Sequence, residues 1–108
     1  MESLKKENLI LNNYYYVKDT KEGGFLIMKL LGINYKDKNR VTAAYLSNMN
    51  SSVKDSKISS MTFAKNSTPW ITSYRYVREA THSEKLWLKT CITKNSKVNK
   101  PITLYLIY

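Results

Sequence analysis

Glu79, His82 and Glu84 stand close together in the sequence and have the types that acid–base chemistry uses. A carboxylate beside an imidazole can take and return a proton. Their setting argues for a different role. Thr81 followed three residues later by Glu84 forms a capping box. In it the Thr81 hydroxyl accepts from the Glu84 N–H, and the Glu84 carboxylate accepts from the Thr81 N–H. His82 then falls on the first position of a helix, in solvent. With one histidine and one cysteine, Cys91, the chain lacks the usual ligand count of a zinc site. Gly23-Gly24 reads as a turn and not as a phosphate-cradling loop. The sequence therefore points to no catalytic residue, no metal and no cofactor.

A basic and aromatic constellation offers more. Nine tyrosines are many for 108 residues, and Tyr74, Arg75, Tyr76 and Arg78 interleave rings with guanidinium groups. Such surfaces stack bases and neutralise phosphates, and they also anchor protein interfaces. Eighteen Lys and Arg face eight Asp and Glu, a net charge of +10. The excess is lopsided. Residues 1–56 hold nine basic and six acidic groups, whereas residues 57–108 hold nine basic and two acidic. After Glu84 no acid side chain follows, while Lys85, Lys89, Lys94, Lys97 and Lys100 do. A field of one sign attracts polyanions: nucleic acid, an acidic protein face, or a nucleoprotein that offers both. It argues against a nucleic-acid mimic, which would be acidic. The candidate contacts are Arg75, Arg78, Lys85, Lys89, Lys94 and Lys97, with Tyr74 and Tyr76 among them. Lys36, Lys38 and Arg40 form a second patch. Their expected role is phosphate or carboxylate contact.

The elements that must position these groups come from the hydrophobic pattern. Tyr14–Lys18 is aromatic and β-branched, hence a strand. Residues 19–24 make a turn in which Gly23 and Gly24 are free to take positive φ. Phe25–Ile33 is a continuous apolar run whose length and flanking glycines favour a strand buried on both faces, with a short helix as the alternative. A hairpin loop over 34–40 leads to a strand over Val41–Ser47. The polar stretch 48–57 predicts an exposed loop. Further strands are expected over 58–64 and 70–77, with a turn at 65–69, and a last one over 102–108. The helix is expected over about 81–94, lying on the sheet by a stripe of Trp87, Leu88, Cys91 and Ile92, with Lys85 and Lys89 flanking it. These elements predict one α+β domain over residues 1–108, with five or six strands and a late helix. An SH3-like barrel is the first expectation, because closure hides sheet edges; a small antiparallel two-layer sheet is the second. Cys91, alone on the apolar helix face, is expected to be an inert core thiol. The N-terminal apolar run is too short for a signal-peptide core, and no apolar stretch has membrane-spanning length. A soluble, cytoplasmic protein is expected.

The run "YRYVREATHSEKLWLKTCITKN" resembles a tail found in small proteins of phages and mobile elements of low-G+C bacteria. There a basic strand leads into A-T-P-E-E-x-x-W-L-x-x-C-I-x-x-N. Ala80, Thr81, Glu84, Trp87, Leu88, Cys91, Ile92 and Asn95 match, and His82 and Ser83 depart from the Pro-Glu pair. The likeness covers about a fifth of the chain. In size, charge and Lys-, Asn- and Tyr-rich composition the protein is similar to anti-CRISPR proteins acting on type VI RNA-guided ribonucleases. That resemblance implies a non-enzymatic inhibitor, present in the host cytoplasm, that engages a CRISPR effector or its guide RNA. A general RNA- or DNA-binding module and a small basic ribonuclease toxin are the other readings of the same charge.

Overall fold

The computed structural model describes residues 4–5, 8–18, 23–34, 36–37, 40–53, 55, 57–69 and 76–101 of the chain. It shows one antiparallel sheet of five strands and one helix near the C-terminus, an α+β fold. The strands are β1 (Tyr14–Lys18), β2 (Phe25–Ile33), β3 (Val41–Ser47), β4 (Thr62–Ser67) and β5 (Tyr76–Glu79), and the helix α1 covers His82–Lys94. The first four form a meander, and β5 returns to pair with the free side of β1, giving the order β4-β3-β2-β1-β5.

The sheet is open, which corrects the expectation of an SH3-like barrel. β4 and β5 lie at opposite ends of the order and do not pair with each other. Among the described residues the β5 edge is covered from the N-terminal segment, where the Leu4 N–H donates to the Val77 carbonyl at 2.8 Å. At this edge, cover by the N-terminal segment stands in for closure.

Both faces of the sheet carry a buried layer, as the apolar run of β2 predicted. Tyr15, Val17, Leu26, Met28, Leu30 and Val77 pack on one face together with Leu9 and half-buried Leu4. Ile27 and Leu46 pack on the other against Met61, Trp87, Leu88 and Cys91. Period-2 alternation explains the division of β1: Tyr15 is buried in the first layer, whereas Tyr14 and Tyr16 point toward the helix side and remain half-buried.

Several boundaries differ from the pattern reading. Ile58–Ser60 is a short 3-10 turn, and β4 begins only at Thr62 and runs through the expected turn to Ser67. The polar stretch after β3 is pinned and not merely exposed. Asn48 is 1% exposed; its carboxamide accepts from the Phe25 N–H at 2.8 Å and donates to the Asp55 carbonyl. This clamp also explains Gly24, since no described glycine has positive φ. A Cβ at Gly24 would stand 2.6 Å from Asn48 Oδ1 and 2.8 Å from Met49 Cα, so the residue is needed for close approach. The expected strand over 70–77 is described only from Tyr76, and that over 102–108 lies outside the described residues.

Candidate anion-binding site

The helix is built as its sequence dictates. Thr81 Oγ1 accepts from the Glu84 N–H at 3.2 Å, and Glu84 Oε1 accepts from the Thr81 N–H at 2.7 Å, completing the capping box. At the other end Asn95 takes the left-handed conformation at φ 53°, and the Ser96 N–H reaches the Cys91 carbonyl, closing the last turn. Trp87, Leu88 and Cys91 are buried against the sheet, and the Trp87 indole N–H donates to the Val98 carbonyl at 2.7 Å. Burial pushes the Cys91 thiol up, so it stays protonated and inert.

With the apolar stripe facing β2 and β3, the flank carrying Lys85 and Lys89 turns toward β1. These lysines are one helical turn apart and share a side of the helix. Their ammonium groups lie 5.3 and 5.7 Å from the centroid of the Tyr14 ring. Lys29 comes from the sheet. It is the cross-strand partner of Tyr14, and its Nζ lies 5.8 Å from the same centroid. Three ammonium groups from two elements thus converge on one half-buried tyrosine. Burial raises the Tyr14 hydroxyl above its ordinary pKa, so the ring stays neutral among them. None of these three lysines takes part in an ion pair among the described residues, where the pairs are Arg40–Asp37 and Arg78–Glu84.

Two residues further along β1, Tyr16 carries a different arrangement. The Arg78 guanidinium sits 3.9 Å above its centroid, and the Phe25 ring stacks with it at 5.6 Å. Arg78 is clamped: Nη1 and Nη2 donate to the two carboxylate oxygens of Glu84 at 2.8 and 2.9 Å. Partial desolvation pushes the Glu84 carboxyl up, but Arg78 and the Thr81 N–H pull it further down, and it ends below the usual carboxylate range.

The other sequence candidates scatter. Lys94 is exposed in the last turn of α1, and Tyr76 is exposed on β5. Lys97 donates to the Met61 carbonyl at 2.9 Å, toward β4. Lys36 is exposed in a turn where Asn34 Oδ1 accepts the N–H groups of Lys36 and Asp37. Arg40 reaches Asp37 at 3.7 Å and the Thr68 carbonyl at 3.1 Å. Arg75, Tyr74 and Lys38 lie outside the described residues. The acid–base trio is not assembled either: alternation puts Glu79 on the face of β5 opposite Arg78, and His82 is exposed. Among the described residues no group of His, Cys, Asp and Glu could hold a metal ion.

Sequence reasoning missed Lys29 and Tyr14. The signal was present, because Lys29 is the one charge inside an otherwise apolar run. Placing it opposite Tyr14 needed the hairpin register. No protein-family model matches the chain. Comparison with curated proteins and with solved structures likewise gives no match.

Proposed function

We propose that this chain is a non-enzymatic binding protein that grips the phosphates of a nucleic acid, free or within a host nucleoprotein. The observation that carries this reading is the convergence of Lys29, Lys85 and Lys89 on Tyr14 with no carboxylate paired to them. Three ammonium groups brought together repel one another. Lys85 also stands near the positive end of the helix dipole, where a cation is disfavoured, and Lys85 and Lys89 are a like-charge pair one turn apart. Cation–π attraction to Tyr14 offsets part of this cost, but it leaves the like-charge and dipole conflicts in place. An anion seated among them removes the conflict. A phosphate suits the geometry better than a single carboxylate, since its oxygens radiate toward donors arriving from several directions, and ammonium groups act on it as point charges.

The resemblance of the helix to phage and mobile-element proteins, with the size, charge and composition similar to anti-CRISPR proteins, adds the biological reading: an inhibitor of that type that engages an RNA-guided ribonuclease or its guide RNA. Electrophoretic mobility shift with unrelated RNA tests the binding. Wild type binds, with affinity falling steeply as salt rises, and a Lys85→Glu, Lys89→Glu variant binds far more weakly. Inhibition of purified type VI effector cleavage tests the biological reading separately. RNA binding without inhibition leaves a general nucleic-acid module, and no RNA binding at any salt overturns the proposal.

A further inference from the structure

The helix packs over β2, β3 and β1 and has little contact with β5, which leaves the helix-side face of β5 and the adjoining flank of β1 as a shelf along its side. Alternation in β1 puts Tyr14, Tyr16 and Lys18 on that face, and the register with β5 adds Arg78 opposite Tyr16 and Tyr76 opposite Lys18. The cations along this shelf are Lys29, Lys85 and Lys89 at one end, Arg78 in the middle and Lys18 beyond it. Among the described residues, the carboxylate beside them, Glu84, is held by Arg78. Tyr16 has both sides engaged, by Arg78 and Phe25, whereas Tyr76 is 46% exposed. The shelf therefore carries, at one end, a cluster of ammonium groups with no ion pair among the described residues and, at the other, an exposed aromatic ring. Tyr14 and Lys18 are four residues apart along β1, about 13 Å.

Resting on the phosphate-binding reading above, we infer that the ligand is a single-stranded polynucleotide lying along β1 beside the helix. One of its phosphates sits among Lys29, Lys85 and Lys89, and one of its bases stacks on Tyr76. The requirement for a single strand comes from the ring and from the helix. A duplex keeps its bases stacked internally and cannot lay one on a protein ring, while an unpaired strand can. α1 turns Lys85 and Lys89 toward the sheet, so its cations face a strand lying in the angle between helix and β1 and not a groove entered by its outer side. Stacking tolerates any base, and the lysines read only phosphate, so binding is independent of sequence.

Fluorescence anisotropy with labelled oligouridine, oligothymidine and a blunt duplex tests this, on wild type, Tyr76→Ala, Tyr76→Phe and Lys85→Gln, Lys89→Gln, each checked for an unchanged thermal midpoint. Both single strands bind wild type more tightly than the duplex does. Tyr76→Ala weakens single-strand binding by about 5- to 100-fold with its salt slope unchanged, and Tyr76→Phe restores it. The double glutamine variant instead flattens the single-strand salt slope by about 1.4. A duplex bound as tightly as the single strands, or a Tyr76→Ala variant with wild-type single-strand affinity, overturns the inference while leaving phosphate binding intact. Loss of all binding by wild type removes the reading on which it rests.

Discussion

Tyr14 and Tyr16 sit two residues apart on the same strand, point to the same face and each lie under a cation, yet their surroundings do opposite things. Over Tyr16 the cation is Arg78, locked by two hydrogen bonds to Glu84, which in turn caps the helix. Charge, ring and cap satisfy one another, and a third Arg78 N–H donates to the Glu79 carbonyl, so most of its donors are engaged within the protein. Around Tyr14 the cations are three lysines from the helix and the sheet, with no paired carboxylate among the described residues. A planar guanidinium with a fixed fork suits permanent pairing with a carboxylate, whereas flexible ammonium stems suit a partner that arrives later. Net charge alone does not separate these two uses of a basic residue. The nearest carboxylate does.

Both arrangements depend on the helix being where it is, so the largest effect comes from its anchor. Trp87 is 2% exposed, packs in the core layer with Leu88 and Cys91, and donates to the Val98 carbonyl. Trp87→Ala is expected to lower unfolding free energy by about 3–5 kcal/mol, read by urea denaturation, and to abolish polyanion binding with it. A variant that keeps wild-type stability would show that the helix is not held by this stripe.

A smaller effect belongs to the Tyr16 side alone. Glu84→Gln keeps a capping-box acceptor but removes the charge facing Arg78, and should cost about 1 kcal/mol at neutral pH. The sign of the pH dependence follows from the depressed carboxyl. Its stabilisation is fully present above the unfolded carboxylate value of about 4.3 and is lost as pH falls through the lower folded value. Wild type and Glu84→Gln therefore converge in stability below about pH 4, as followed by thermal melts across pH. A gap that stays constant down to acid pH would mean that the carboxylate and the guanidinium do not stabilise each other.

The contrast between the two tyrosines was only partly legible in the sequence. The helix and its N-terminal cap were readable because capping residues act locally: Thr81 and Glu84 do in the structure what their types and spacing imply, whereas the left-handed Asn95 that ends the helix was not singled out. The first three strands were readable because apolar runs bounded by turns are also local signals. The open sheet was not, since whether the two edge strands, β4 and β5, meet depends on twist and on what covers each edge. Burial of Asn48 was hidden for a similar reason: its partners, Phe25 and Asp55, come from β2 and from the loop beyond. Charge counting singled out Lys85 and Lys89 together with Arg78, Arg40 and Lys97, which the structure engages with Glu84, Asp37 and the Met61 carbonyl. Composition counts a lysine without saying which acid or carbonyl it will meet, and that is fixed only by tertiary contact. Lys29 was passed over because its meaning depends on standing opposite Tyr14.

The smallest effect on stability gives the sharpest test of the contrast. If Lys85 and Lys89 exist for a ligand, removing one should not weaken the fold. Lys89→Gln relieves a like-charge pair one turn apart, and Lys85→Gln removes a cation from the first turns of the helix. Each is expected to leave stability unchanged or to raise it by a few tenths of a kcal/mol, most visibly at low salt, where like charges are least screened. Arg78→Gln should move the other way, because it leaves the Glu84 carboxylate half-buried and unpaired. Thermal melts of the three variants at low and high salt read the comparison directly. Should the lysine variants lose as much as the arginine variant, the ammonium groups around Tyr14 would be structural ties, and the distinction between a satisfied cation and an available one would fail at this site.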